Sequence, residues 1–191
     1  MLRKRFVFLF IVISVGIGLL WIEDYTTQST GENKDGAALL PDYYGEGLKN
    51  KTFNNNGGLD SQFEAQRSVH FPYRRIAELT LPKFTTTADD GEEWVIKSLS
   101  GTHFEDHKKV LLKNDVVVSP ANPALLETNQ YKYATILTDE LTLFTDTKIA
   151  QTDKPVEVID FRSRINAVGM IINIDQKRVE FLSQVNAKYE P

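Results

Sequence analysis

No cysteine occurs anywhere in the 191 residues. That absence removes disulfides, Cys-ligated zinc and thiol nucleophiles together. It leaves the compartment open, because a chain without thiols suits an oxidising space as well as a reducing one. Basic charge is also scarce. Arg3, Lys4 and Arg5 stand at the very start, and once these three are set aside the 22 basic side chains fall to 19 against 26 acidic ones, a charge of −7 over residues 6–191. Phosphate recognition needs a basic stripe, so a nucleic-acid partner is disfavoured. Neither a G-x-S-x-G elbow, a P-loop nor a G-x-G-x-x-G fingerprint is present. Acyl transfer by a serine, nucleotide binding and dinucleotide chemistry therefore lack their usual signals.

Histidine is limited to three residues, and they give little chemistry. In THFEDH, His103 and His107 flank Glu105 and Asp106 at i, i+4. A helix would bring both imidazoles to one side, as in H-E-x-x-H metal sites, but the Glu is misplaced and the surroundings read as strand and turn. A polar turn is the reading adopted. His70, in VHFPY, has no evident sequence partner and reads as a surface or satisfied structural histidine. Asp89, Asp90, Glu92 and Glu93 crowd too closely for an EF-hand and read as a solvated hairpin tip. No catalytic residue, metal or cofactor is expected.

Long apolar runs are absent but for one. Residues 6–22 carry no charge, and at about 1.5 Å per residue they reach the short end of what a bilayer core requires. Trp21 sits where an interfacial aromatic belongs, with Arg3, Lys4 and Arg5 before the run and Glu23 and Asp24 after it. That asymmetry keeps the N-terminus cytoplasmic and sends the rest across. A cleaved signal peptide is the alternative. Its small-x-small site would be Gly16-Ile17-Gly18, and cutting there leaves an apolar Leu-Leu-Trp-Ile start. The expected organisation is a cytoplasmic basic N-terminus over residues 1–5, a transmembrane anchor over 6–22, a polar linker over 23–40 and one β-domain over 41–191.

Beyond the linker, short runs rich in Val, Ile, Thr, Phe and Tyr recur between turn signals at the spacing of an all-β sandwich or barrel. They include EAQRSVHF, RIAELTLPKFTTT, EWVIKSL, KVLLKNDVVV, ELTLF, PVEVIDF, GMIINID and RVEFLSQVNAKY. Asp90-Gly91 and the NNNGGL stretch at 54–59 mark hairpins, and Asn114-Asp115 fits a turn with positive φ. Gly169 suggests a bulge or close approach. Alternation places Ala77, Leu79 and Leu81 on one face, opposite Glu78 and Thr80. No segment past residue 22 keeps a period of 3.6, so helix is confined to the anchor.

The order of pieces is recognisable. A short N-in anchor, then PDYY at 41–44, GGLDSQFEA at 57–65, HFP at 70–72, LTLP at 79–82, EEWVIKSLSG at 92–101, VLLKNDVVV at 110–118 and VGMIIN at 168–173 resemble the pattern of the LptC family. Its members are bitopic inner-membrane components of the bacterial lipopolysaccharide-transport bridge. One departure is Asn114-Asp115, where many members carry Gly; both residues tolerate the left-handed backbone. The resemblance implies a non-enzymatic conduit, inner-membrane anchored with its bulk periplasmic. It further implies an open, twisted β-jellyroll taking lipopolysaccharide from the ABC transporter subunits LptF, LptG and LptB and passing it to the bridge protein LptA. The edge around residues 48–63 would meet the transporter, and the strand at 178–189 the bridge protein.

Alternation nominates the lining of an apolar, lipid-binding groove: Phe63, Leu79, Leu81, Phe84, Trp94, Ile96, Leu112, Val116, Leu143, Val158, Met170, Ile172, Val179, Phe181, Val185 and Tyr189. Ordinary core packing is an equal reading for any one of them; for Leu79, Val179 and Tyr189 the resemblance adds a match to lipid-facing positions of the family. Two other functions compete. One is a membrane-anchored β-sandwich that binds only protein, within an envelope assembly or secretion complex. The other is a periplasmic hydrolase, which would need activity that depends on His103 or His107.

Overall fold

The computed structural model describes residues 40–54, 56–88, 91–122 and 134–189. The chain divides into two units between Leu40 and Pro41, and the β-domain is the second of them. The expected cytoplasmic N-terminus and anchor, all of the linker but Leu40, and Asp89 and Asp90 lie outside the described residues. Among the described residues no helix is long and apolar enough to cross a membrane.

Eleven antiparallel strands among the described residues form one sheet. They are β1 (Tyr43–Phe53), β2 (Leu59–Phe71), β3 (Ile76–Thr80), β4 (Lys83–Thr87), β5 (Glu93–Lys97), β6 (Ser100–Phe104), β7 (Lys109–Pro120), β8 (Thr135–Phe144), β9 (Ile149–Ile159), β10 (Ser163–Asn173) and β11 (Arg178–Tyr189). The long strands β2 and β7 organise the rest. Along one side β2 pairs with β1, and along the other its two halves pair with β4 and β3. Likewise β7 pairs with β8 on one side and with β5 and β6 on the other. The short strands close the gap through β4–β5 and β3–β6. The sheet therefore runs β1, β2, then two tiers of short strands, then β7 to β11, and it doubles over the short strands into a jellyroll-like shell. Among the described residues its free margins are β1 and β11.

Sequence chemistry explains the breaks. RIAELTLPKFTTT reads as one run, yet it makes two strands, because Leu81 takes φ +48° and Pro82 donates no ladder hydrogen bond. The alternation predicted through Ala77, Leu79 and Leu81 thus ends at Thr80, and Leu81 lies outside on an exposed corner. Asn114 and Asp115 do adopt positive φ, at 64° and 51°. They make a bulge within continuous β7 and not the expected turn, with the Asn114 carbonyl accepting from the Leu99 amide and its Nδ2 donating to Ser100 Oγ. The NNNGGL and Gly91 hairpins are present; Asn54 Oδ1 accepts from the amides of Asn56 and Gly58, and Gly91 takes φ +85°.

Bulges recur at matching heights. A one-residue register shift occurs in β7–β8 between Lys113 and Val116, in β8–β9 between Thr138 and Thr142, in β9–β10 between Val168 and Met170, and in β10–β11 between Asn166 and Val168. Together they draw a crease across the strands, and each bulge adds local twist. Gly169, at φ +79°, is the point of the crease on β10.

The inner face holds the core. Ile96, Leu112, Leu141 and Met170 are fully buried, with Val110, Val116, Val118, Leu79 and Ile172 beside them. Each such side chain contributes about 1.5–3 kcal/mol relative to exposure. On the outer face, Lys49, Glu64 and Lys83 form a cross-strand charge row with contacts of 2.8 and 3.4 Å.

Candidate functional site

Cross-strand register converts the inner face into rows of side chains, since residues paired directly across a ladder share a face. One row runs Tyr43, His70, Ala77, His103, Val110, Leu143, Ala150, Ile172 and Val179, from β1 to β11. Another runs Asn50, Phe63, Phe84, Ile96, Val118, Ile136, Val158, Ile165 and Ala187, again margin to margin. Between them lie Leu79, Leu112, Met170 and Phe181, and Val116 near the crease. Trp94 pairs with Thr86, and Tyr189 with Ser163, at the far end.

Every nominated groove residue except Leu81 is on this inner face. Leu81 is 48% exposed on the outside. Phe63 and Phe84 meet with ring centroids 4.7 Å apart. The depth of burial falls towards β11, where Val179, Val185 and Tyr189 are 39%, 54% and 55% exposed and no further strand among the described residues covers them.

A cavity of about 500 Å³ lies between the β1–β4 wall and the end of the wall carrying the β8–β9 and β10–β11 turns. Leu48, Phe63, Leu79, Phe84, Leu143 and Ile174 give it an apolar lining. Polar side chains, Gln62, Ser68, Thr86, His103 and Glu105 among them, line it as well. Lys148, in the β8–β9 turn, reaches across to Asp60 Oδ1 at 2.8 Å and the Thr87 carbonyl at 3.1 Å, and lies 3.3 Å from Asp175 Oδ1. Burial disfavours its charge, but the Asp60 and Asp175 carboxylates that face the ammonium outweigh this and hold it above its usual range. In the neighbouring turn Lys177 pairs with Glu92. Thr86 Oγ1 and Trp94 Nε1, on adjacent strands, are buried with no hydrogen-bond partner among the described residues.

The other polar cluster is not legible from spacing. His70 is buried, and its Nδ1 and Nε2 lie 2.6 Å from Asp42 and 2.7 Å from Glu105. Two carboxylates on two ring nitrogens require the doubly protonated imidazolium. The Asp42 hydrogen bond drives its pKa up against burial, with Glu105 adding to the rise. Tyr43 stacks on the ring at 4.5 Å. His70 thereby ties the start of β1 to the 3₁₀ turn Glu105–His107, two elements that no motif connects in sequence.

His103 faces the cavity from β6, and burial pushes its pKa down, opposed by Glu105. His107 is on the exposed turn, so the two imidazoles belong to different elements. Among the described residues no cluster of His, Asp and Glu is arranged to hold a metal. What the site offers is an inward-facing surface that is apolar from β4 to β11 and interrupted by Asn50, His70 and His103 on the way to β1.

The family model for lipopolysaccharide assembly, LptC-related, matches residues 6–190. No curated protein sequence matches the chain. Among solved structures it is similar to LptH of Pseudomonas aeruginosa, described as the LptA-homologous periplasmic component of the lipopolysaccharide transport device. The TM-score is 0.50 at 7% identity, covering 69% of this chain and 95% of that one. At such identity the likeness is one of fold, an antiparallel jellyroll-like sheet. The match over nearly the whole length is what assigns the lineage: the chain belongs to the LptC-related lipopolysaccharide-assembly family.

Proposed function

We propose that the chain is a lipid-conducting subunit of the lipopolysaccharide-transport bridge, held at the inner membrane by residues 6–22 with its β-domain in the periplasm. It takes lipopolysaccharide from the ABC transporter subunits LptF, LptG and LptB at the β1 margin and delivers it to LptA at the β11 margin. The observation that carries the reading is the pair of inner-face rows running from β1 to β11. Shielding acyl chains in water is worth about 0.8 kcal/mol per CH₂, so a dozen methylenes represent on the order of 10 kcal/mol. Only a continuous apolar path supplies that at every step. The unpaired margins suit extension of the sheet by a neighbour's strand. ATP hydrolysis belongs to the transporter.

A photo-crosslinking amino acid at Leu79, buried and inward, and at Glu78, exposed and outward, tests this in cells making lipopolysaccharide. The expected result is a lipid adduct at 79 and none at 78. Absence of adduct at both, with normal folding and expression, would replace the conduit by a module that binds protein alone.

A further inference from the structure

We infer that Lys148 is the latch of a flap that swings aside to widen the groove for cargo; this rests on the conduit reading above. The flap is the portion of β8 to β11 between the crease and the two turns, which carries Lys148 and Lys177 at its tip. Its hinge is the crease, where every neighbouring pair from β7 to β11 is bulged and the ladder is locally interrupted; because β8 stays paired with β7 from Lys109–Phe144 to Lys113–Glu140, the movement bends the sheet there and does not detach β8.

Volume favours the movement. The cavity beneath the tip, about 500 Å³ and partly open to solvent, falls among pockets of about 300–1,000 Å³ that take one drug-sized molecule. A glycolipid with several acyl chains exceeds it. When the tip lifts, the acyl chains take over the packing that Leu143 and Ile174 had made with the opposite wall, so apolar burial alone does not decide between closed and open. Ionic contacts are different. Lys148 has a side chain only 17% exposed and joins Asp60 and the Thr87 carbonyl on one wall to the opposing tip, and an acyl chain offers nothing to replace those partners. Asp60 and Lys148 are 88 residues apart in sequence, so the ion pair bridges the walls and not a local turn. The Lys177 contact with Glu92 reinforces the same edge.

The absence of cysteine makes the test clean. Thiols introduced at Lys51 on β1 and Thr147 in the β8–β9 turn, both exposed, carry spin labels on the full chain in phospholipid nanodiscs. Without lipopolysaccharide, the parent should give one narrow inter-spin distance. Lys148→Met and, from the other wall, Asp60→Asn should each add a longer-distance population, and Lys148→Arg should restore the narrow one. Added lipopolysaccharide should lengthen the parent's distance, and Lys148→Met should load cargo about fivefold faster, the scale that one partly exposed ion pair supplies. Distances unchanged in both variants would overturn the latch. So would a lipid adduct at position 79 that forms with no change in distance. No adduct in any variant would overturn the conduit reading itself.

Discussion

At the scale of single residues, two leucines two positions apart separate what the sequence reveals from what it hides. Leu79 and Leu81 share a face in any regular strand, but only Leu79 is inside, because the backbone turns left-handed at Leu81 ahead of Pro82. Period-two alternation is enough to nominate the inner face elsewhere; it gives no warning where φ changes sign. Denaturant titration should register the distinction. Leu112→Ala, at a fully buried position, should cost about 2–5 kcal/mol, and Leu81→Ala less than about 0.5 kcal/mol. His70 is illegible for another reason, since its partners Asp42 and Glu105 are distant in sequence. Its folded-state pKa is raised above an unfolded value of about 6.5. Its stabilisation is therefore complete at pH below that value and is lost as pH rises through the folded one. Thermal melts of the parent and His70→Gln should differ by several degrees in mildly acidic buffer and converge in alkaline buffer.

Among elements, strands with strong apolar alternation are readable and margin strands are not. YYGEGLKNKTF, which makes β1, is largely exposed and mostly polar, so hydrophobic pattern alone passes over it; the NNNGGL hairpin is its one signal. Strands β8, β9 and β10 begin earlier than their apolar runs because bulges let polar stretches such as Gln151 to Pro155 stay in the ladder. Gly169 signals its bulge in the sequence, and it has two reasons to be glycine. Its φ is +79°, and a Cβ would lie 2.9 Å from Leu182 Cδ1. Gly169→Ala should cost about 1–2 kcal/mol and speed amide exchange along β11. Adding Leu182→Ala should recover only the part due to Cδ1 and Cγ, because the Cβ that alanine retains still lies 3.0 Å away, and should leave the backbone part.

For the whole molecule, fold class follows from turn spacing and composition, whereas the doubling of the sheet over β3 to β6 depends on pairings no local pattern encodes. The proposed cargo flow belongs to this scale. Val185 is half exposed on the inner face of β11, so Val185→Asp should leave the melting temperature almost unchanged yet place a charge in the path proposed for the acyl chains. Photo-adducts should then fall at Tyr189 and accumulate at Leu79. Equal adducts at both sites, as in the parent, would count against passage towards β11. The crease has one more consequence. In a plain ladder, a slip of two residues keeps every side chain on its own face, and nothing in the faces forbids it. Here the segments on either side of the crease are offset from their neighbours by different amounts, so no slide satisfies both. The irregularities act like the cuts of a key: they admit one alignment of five adjoining strands and exclude misregistered copies that an open, apolar sheet would otherwise tolerate.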